Sequence, residues 1–134
     1  MNTPNRCVLD IRTETDVVVV RQKVRAVAVD LKFSLVEQTK MITAASELAR
    51  NVLNYGGGGS VAVEVLIHGT RNGLRLTFED QGPGIPDIAT ALKDGFTTGG
   101  GLGMGLGGAK RLVNEFEISS RVGEGTRVVI TRWK

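Results

Sequence analysis

The chain has 134 residues, a net charge of +3 and 41% apolar residues, which fits one globular domain around a single core and excludes a disordered chain. No apolar run approaches the ~20 residues of a membrane span. The opening stretch from Met1 to Arg6 also lacks the apolar segment of a secretory signal, so a soluble cytoplasmic protein without a membrane partner is expected. Lys and Arg are scattered, and aromatic residues make up only 4% of the chain, which argues against nucleic acid as a partner.

Residues 7–12 alternate Cys7, Leu9 and Ile11 against Val8, Asp10 and Arg12, the pattern of a short strand. The lone Cys7 cannot form an internal disulfide and reads as a small buried apolar residue. Asp16 can cap a helix carrying Val17, Val20, Val24, Val27 and Leu31 at helical spacing. The β-branched run from Val17 to Val20 argues for a strand instead, and the longer period favours the helix. Ser34 and Glu37 stand at capping-box spacing before a second helix to about Asn54, with Met41, Ala45, Leu48 and Val52 on one stripe. Tyr55 and the glycines 56–59 end it.

Residues 60–68 alternate again, Asn72-Gly73 is a hairpin signal, and residues 74–80 form the returning strand. A loop from Gln81 to about Gly105 leads to a third helix marked by Leu106, Ala109, Leu112 and Val113. Residues 115–121 and 127–133 close the chain as a hairpin through Gly123-Glu124-Gly125. This order predicts one α+β domain over residues 1–134. Its simplest packing is a two-layer sandwich, a mixed and mostly antiparallel sheet with the helices on one face.

Glu47 and Asn51 lie four apart on the second helix, so their side chains share one face. A solvated helix edge explains such a pair. So does a site in which the Asn51 carbonyl oxygen binds Mg2+, a hard cation that takes few protein ligands beside water and phosphates. Glu47, one turn away, would then orient or deprotonate a hydroxyl attacking a terminal phosphate. Asp80 shares strand parity with Leu74, Leu76 and Phe78 and points to the side they choose. A carboxylate there needs a partner, either an arginine or a ligand amino group such as that of adenine. Gln81-Gly82-Pro83-Gly84-Ile85-Pro86 follows as a tight turn whose glycines let a flat ring approach the backbone.

Gly99, Gly100, Gly101, Leu102, Gly103, Met104, Gly105 and Leu106, with Gly107 and Gly108, precede the third helix. Bare glycines let consecutive N–H groups curve around an anion at a helix start. The apolar residues that interrupt the run regularly favour a phosphate-binding lid over a flexible linker. The Walker pattern is absent. Gly103-x-Gly105-x-x-Gly108 matches the dinucleotide string literally, but it follows a long loop and precedes an antiparallel hairpin, not a βαβ unit. Thr126, at the start of the last strand, can hold a base through its hydroxyl. His68 has no nucleophile or metal cluster beside it in this reading and is taken as structural or exposed.

Together these segments resemble the four boxes of the GHKL superfamily, whose Bergerat ATP-binding fold is shared by gyrase, heat-shock chaperones, histidine kinases and MutL. Glu47 to Asn51 matches the N-box, Asp80-x-Gly82-x-Gly84 the first glycine box, residues 101–106 the second, and residues 123–126 the last. Within the superfamily the sequence most resembles the RsbT-type switch serine/threonine kinases of the bacterial stressosome, through Ser46-Glu47-Leu48-Ala49-Arg50-Asn51, residues 79–86 and Ala109-Lys110-Arg111-Leu112. The resemblance implies that Asn51 binds Mg2+, Asp80 contacts the adenine of ATP, and Glu47 assists transfer to a protein serine or threonine. It further implies nucleotide contacts from Gly82, Gly84, Ile85, residues 99–106 and Thr126. The implied substrates are STAS-domain antagonist and scaffold proteins, and the released kinase would bind and activate a PP2C-type phosphatase. The lid, residues 99–108, is more glycine-dense than the family pattern.

Three other readings share these boxes. One is an anti-sigma factor kinase whose main task is sequestration, and another is a non-catalytic switch that signals by nucleotide-dependent shape. The third is the catalytic domain of a histidine kinase, which is disfavoured because such domains are normally joined to a phosphoacceptor-histidine helix pair.

Overall fold

The computed structural model describes residues 6–84 and 102–134, with the side chains of residues 102–105 excepted. The elements run β1 (Arg6–Ile11), α1 (Glu14–Asp30), α2 (Leu35–Asn54), β2 (Gly59–His68), β3 (Arg71–Asp80), α3 (Leu102–Arg111), β4 (Glu115–Arg121) and β5 (Gly125–Trp133). The strands form one sheet of order β1-β2-β3-β5-β4. Every pairing among the described residues is antiparallel, so the sheet is simpler than the mixed one the sequence suggested.

Strand parity explains the two layers. Val61 and Val63 of β2, Leu74, Leu76 and Phe78 of β3, and Val128 and Ile130 of β5 point to one side. There they join Val17, Val20 and Val24 of α1, Met41, Ala45, Leu48 and Val52 of α2, and Leu106 and Ala109 of α3 in one core. The other face carries cross-strand ion pairs instead, Arg75 with Glu64 and Arg127 with Glu79. Removing a large member of that core, such as Phe78, costs about 3–5 kcal/mol in comparable sites.

Three local expectations change. Thr13, not Asp16, caps α1, and Asp16 returns a bond to the cap backbone from the third helical position. The valine run is helical, as the longer period favours, because Val17 and Val20 are buried while Val18 and Val19 face solvent, a spacing of three that no strand produces. Opposite pairing of His68 with Arg71 puts the β2–β3 turn at Gly69-Thr70, with Gly69 at φ +65°. Asn72-Gly73 therefore lies in β3. Gly73 is needed there because a Cβ would meet the Trp133 ring at 2.6 Å. Finally, α3 begins at Leu102, a turn earlier than its apolar spacing implied, and takes several lid glycines into the helix.

The α2 capping box forms as expected, Glu37 N–H donating to Ser34 Oγ at 3.1 Å and Ser34 N–H to Glu37 Oε1 at 2.8 Å. At the far end of α3, Arg132 Nη1 donates to the Leu112 carbonyl at 3.0 Å and ties that helix to β5. No helix among the described residues is long and apolar enough to cross a membrane.

Candidate functional site

The C-terminal ends of α2 and β3 and the β4–β5 turn meet at one end of the sheet. Their meeting depends on glycines. A Cβ on Gly82 would lie 2.6 Å from the Gly56 Cα, and one on Gly84, held at φ +81°, would lie 2.2 Å from the Arg121 carbonyl oxygen. Gly123 N–H donates to the Pro83 carbonyl at 2.8 Å and fastens the turn after β3 to the last hairpin. Side chains would force these backbones apart.

This interlock encloses a cavity of about 120 Å3. Leu48 and Val52 of α2, Phe78 of β3, Leu106 of α3 and Val128 of β5 give it apolar walls, and Asn51, Asp80 and Thr126 supply polar groups. An apolar slot with few converging polar groups suits a flat heterocycle. Asp80 Oδ1 accepts from the Gly82 N–H at 2.9 Å. Among the described residues no Lys or Arg forms an ion pair with Asp80, so the arginine-partner explanation of this inward carboxylate fails. Asp80 lines the cavity and keeps further acceptor capacity for a ligand. The Thr126 and Ser120 hydroxyls are 2.8 Å apart, which fixes the Thr126 side chain at the cavity wall.

Asn51 Nδ2 is buried with no hydrogen-bond partner, a state that costs about 1–3 kcal/mol when nothing else satisfies the group. Amide N and O exchange places on a half-turn of the side chain, so the same spot can present an oxygen to a ligand. Among the described residues no group of His, Cys, Asp and Glu could hold a metal ion alone. A Mg2+ carried on phosphate oxygens, with Asn51 as a single protein ligand, fits this donor set.

Glu47 is not on the cavity wall. It lines a separate surface depression with Arg21, Ile42, Thr43, Ser46 and Arg50, and its Oε1 is 3.3 Å from Arg50 Nη1. Thus α2 separates the two, with Asn51 toward the cavity and Glu47 on the neighbouring edge.

Of the other residues marked in the sequence, Gly84, Leu106 and Thr126 line the cavity and Gly82 packs behind it. Leu102, Gly103, Met104 and Gly105 form the first turn of α3. Ile85, Gly99, Gly100 and Gly101 lie outside the described residues. Cys7 is half-buried. His68 is exposed, with its ring 6.3 Å from that of Trp133. Sequence reasoning missed Val52, Tyr55, Gly56, Phe78 and Val128 as cavity residues. Val128 shares strand parity with Thr126, a signal that was available. Gly56 was read only as a helix terminator.

Comparison with known proteins places this geometry. The model of the histidine kinase-, DNA gyrase B-, and HSP90-like ATPase family matches residues 36–134. The chain is 49% identical over 123 residues to the serine/threonine-protein kinase RsbT of Bacillus subtilis, covering 92% of each chain. It is 33% identical over 119 residues to an anti-sigma F factor of Anoxybacillus flavithermus, covering 84% of this chain and 80% of the other. Among solved structures, the RsbU and RsbW domains of a Mycobacterium tuberculosis protein superpose with a TM-score of 0.66 at 22% identity. That match covers 97% of this chain and 32% of the other, so this chain spans about a third of that protein. A mycobacterial sensor histidine kinase, MprB, gives a TM-score of 0.56 at 18% identity, covering 95% and 96% of the two chains. The chain belongs to the histidine kinase-, gyrase- and HSP90-like ATPases and, within them, to the RsbT-type serine/threonine kinases.

Proposed function

We propose that this kinase transfers the γ-phosphoryl group of Mg-ATP to a serine or threonine of STAS-domain antagonist and scaffold proteins, and that on release it binds and activates a PP2C-type phosphatase. The observation that carries the transfer reading is the division made by α2, with Asn51 on the nucleotide cavity and Glu47 on an open depression beside it. Asp80 accepts a hydrogen bond from the adenine amino group while Leu48, Val52, Phe78 and Val128 enclose the ring. Gly82, Gly84, Ile85, Thr126 and residues 99–106 complete the nucleotide contacts. Asn51 is the protein ligand of Mg2+, which on binding would neutralise charge on the phosphate oxygens.

Glu47 takes the proton of the acceptor hydroxyl. The hydroxyl oxygen forms the new bond to the γ-phosphorus as the bond to the β–γ bridging oxygen breaks, and ADP departs with that electron pair. The partner assignment draws support from the 49% identity to RsbT and from the resemblance to switch kinases.

The test follows transfer of label from γ-labelled ATP to a purified STAS-domain protein. Wild-type chain is expected to label it, and Glu47→Gln to retain ATP binding while transfer slows by at least ~100-fold, the scale of a lost general base. Normal transfer by Glu47→Gln would overturn the assigned role. The similarity to anti-sigma F factors supports a second reading, sequestration of a sigma factor. A pull-down from cell extract with and without ATP separates the two: a STAS protein and a phosphatase support the switch kinase, and a sigma factor supports sequestration.

A further inference from the structure

We infer that Arg50 is a positioning residue for phosphoryl transfer, holding the Glu47 carboxylate on the acceptor side of α2. The inference rests on the proposed role of Glu47 as general base. Around the helix, Glu47 stands between Asn51, about 40° to one side, and Arg50, about 60° to the other. Asn51 reaches the nucleotide cavity. Arg50 and Glu47 both line the open depression between α1 and α2. The guanidinium thus holds the carboxylate from the side away from the nucleotide.

Stability does not explain this pair. Its Nη1 to Oε1 distance is 3.3 Å, and both side chains are about half exposed, at 49% and 41%. Exposed ion pairs three residues apart on a helix contribute about 0.3–0.5 kcal/mol. Geometry gives it a use. A glutamate side chain has three rotatable bonds and loses considerable freedom when fixed, whereas a planar guanidinium offers its donors in a rigid fork. A base must sit within hydrogen-bond reach of the proton it takes. With Arg50 removed, the carboxylate remains chemically competent but samples orientations that do not meet the acceptor hydroxyl.

A double-mutant cycle on the full chain tests this, with label transfer from γ-labelled ATP to a purified STAS-domain protein as the readout. Arg50→Ala is expected to lower kcat about tenfold, as a displaced reacting group does. KM and Kd for ATP should stay at wild-type values, and Arg50→Lys should restore part of the rate. In the Glu47→Gln background, Arg50→Ala should change kcat by less than about twofold, because the two residues act as one unit. Slow transfer by Glu47→Gln with the same Arg50→Ala loss in both backgrounds would overturn the positioning role alone, as would a wild-type rate for Arg50→Ala. Normal transfer by Glu47→Gln would overturn the role of Glu47 and this inference with it.

Discussion

A Cβ on Gly56 would lie 2.4 Å from both Cβ and Cγ of Asp80, so the residue that ends α2 leaves room for the carboxylate that faces the cavity. Gly56 has no positive φ among the recorded backbone angles, and its small size is the requirement. Gly56→Ala should therefore fold while pushing Asp80 aside, at a packing cost of about 1–3 kcal/mol. ATP affinity should fall about 10- to 100-fold, the range for a lost hydrogen bond to a charged group. Titration calorimetry checks the affinity and circular dichroism the fold. Unchanged affinity would remove Asp80 from the site.

Asn51 makes a different prediction, because its buried amide nitrogen has no partner within the protein. Asn51→Ala deletes an unsatisfied group and should leave thermal stability near or above that of the wild type. Binding of Mg-ATP should be abolished, since the metal loses its protein ligand. Titrations with and without magnesium decide the matter, and tight ATP binding without magnesium would count against Asn51 as that ligand.

Most of this arrangement was legible in the sequence because periodicity records burial. The parity of Asp80 with Leu74, Leu76 and Phe78 placed it inward, and those three residues are fully buried. Helical spacing paired Glu47 with Asn51, but spacing could not tell which of two depressions each residue faces. Asn72-Gly73 misled because the pull of a turn-forming dipeptide is local, whereas the Trp133 ring that occupies the space above Gly73 comes from the far end of the chain. Gly56 was misread for a related reason. A helix end explains a glycine locally, and only the tertiary approach of β3 reveals its second role.

The turn after β3 supplies a third test. Gly84 sits at φ +81°, and its missing Cβ would meet the Arg121 carbonyl oxygen at 2.2 Å. Both strain and collision oppose a side chain, so Gly84→Ala should destabilise the domain by about 2 kcal/mol or more. It should also loosen the bond from Gly123 N–H to the Pro83 carbonyl and weaken ATP binding in parallel. Urea unfolding and nucleotide titration on one preparation measure both. Loss of stability with intact affinity would show that the cavity does not depend on this fastening.

The helix starts add a pH dependence. The Ser34 backbone N–H, and less strongly its hydroxyl, holds the Glu37 carboxyl below its ordinary value of 4.5. The Arg12 backbone N–H, followed by the N–H and hydroxyl of Thr13, holds Asp16 below 3.8. A carboxyl lowered on folding contributes stability above its unfolded value and loses it as pH falls through the folded value. The urea midpoint should therefore decline below pH 4.5, beginning with Glu37 and continuing through the Asp16 range. Glu37→Gln should unfold at lower urea than wild type at pH 7, where the charged acceptor is lost, and the gap should close as pH falls through the folded-state value of Glu37 and both side chains become neutral. Midpoints measured across that range check the sign, and a gap of equal size at both ends would mean that Glu37 acts through shape rather than charge.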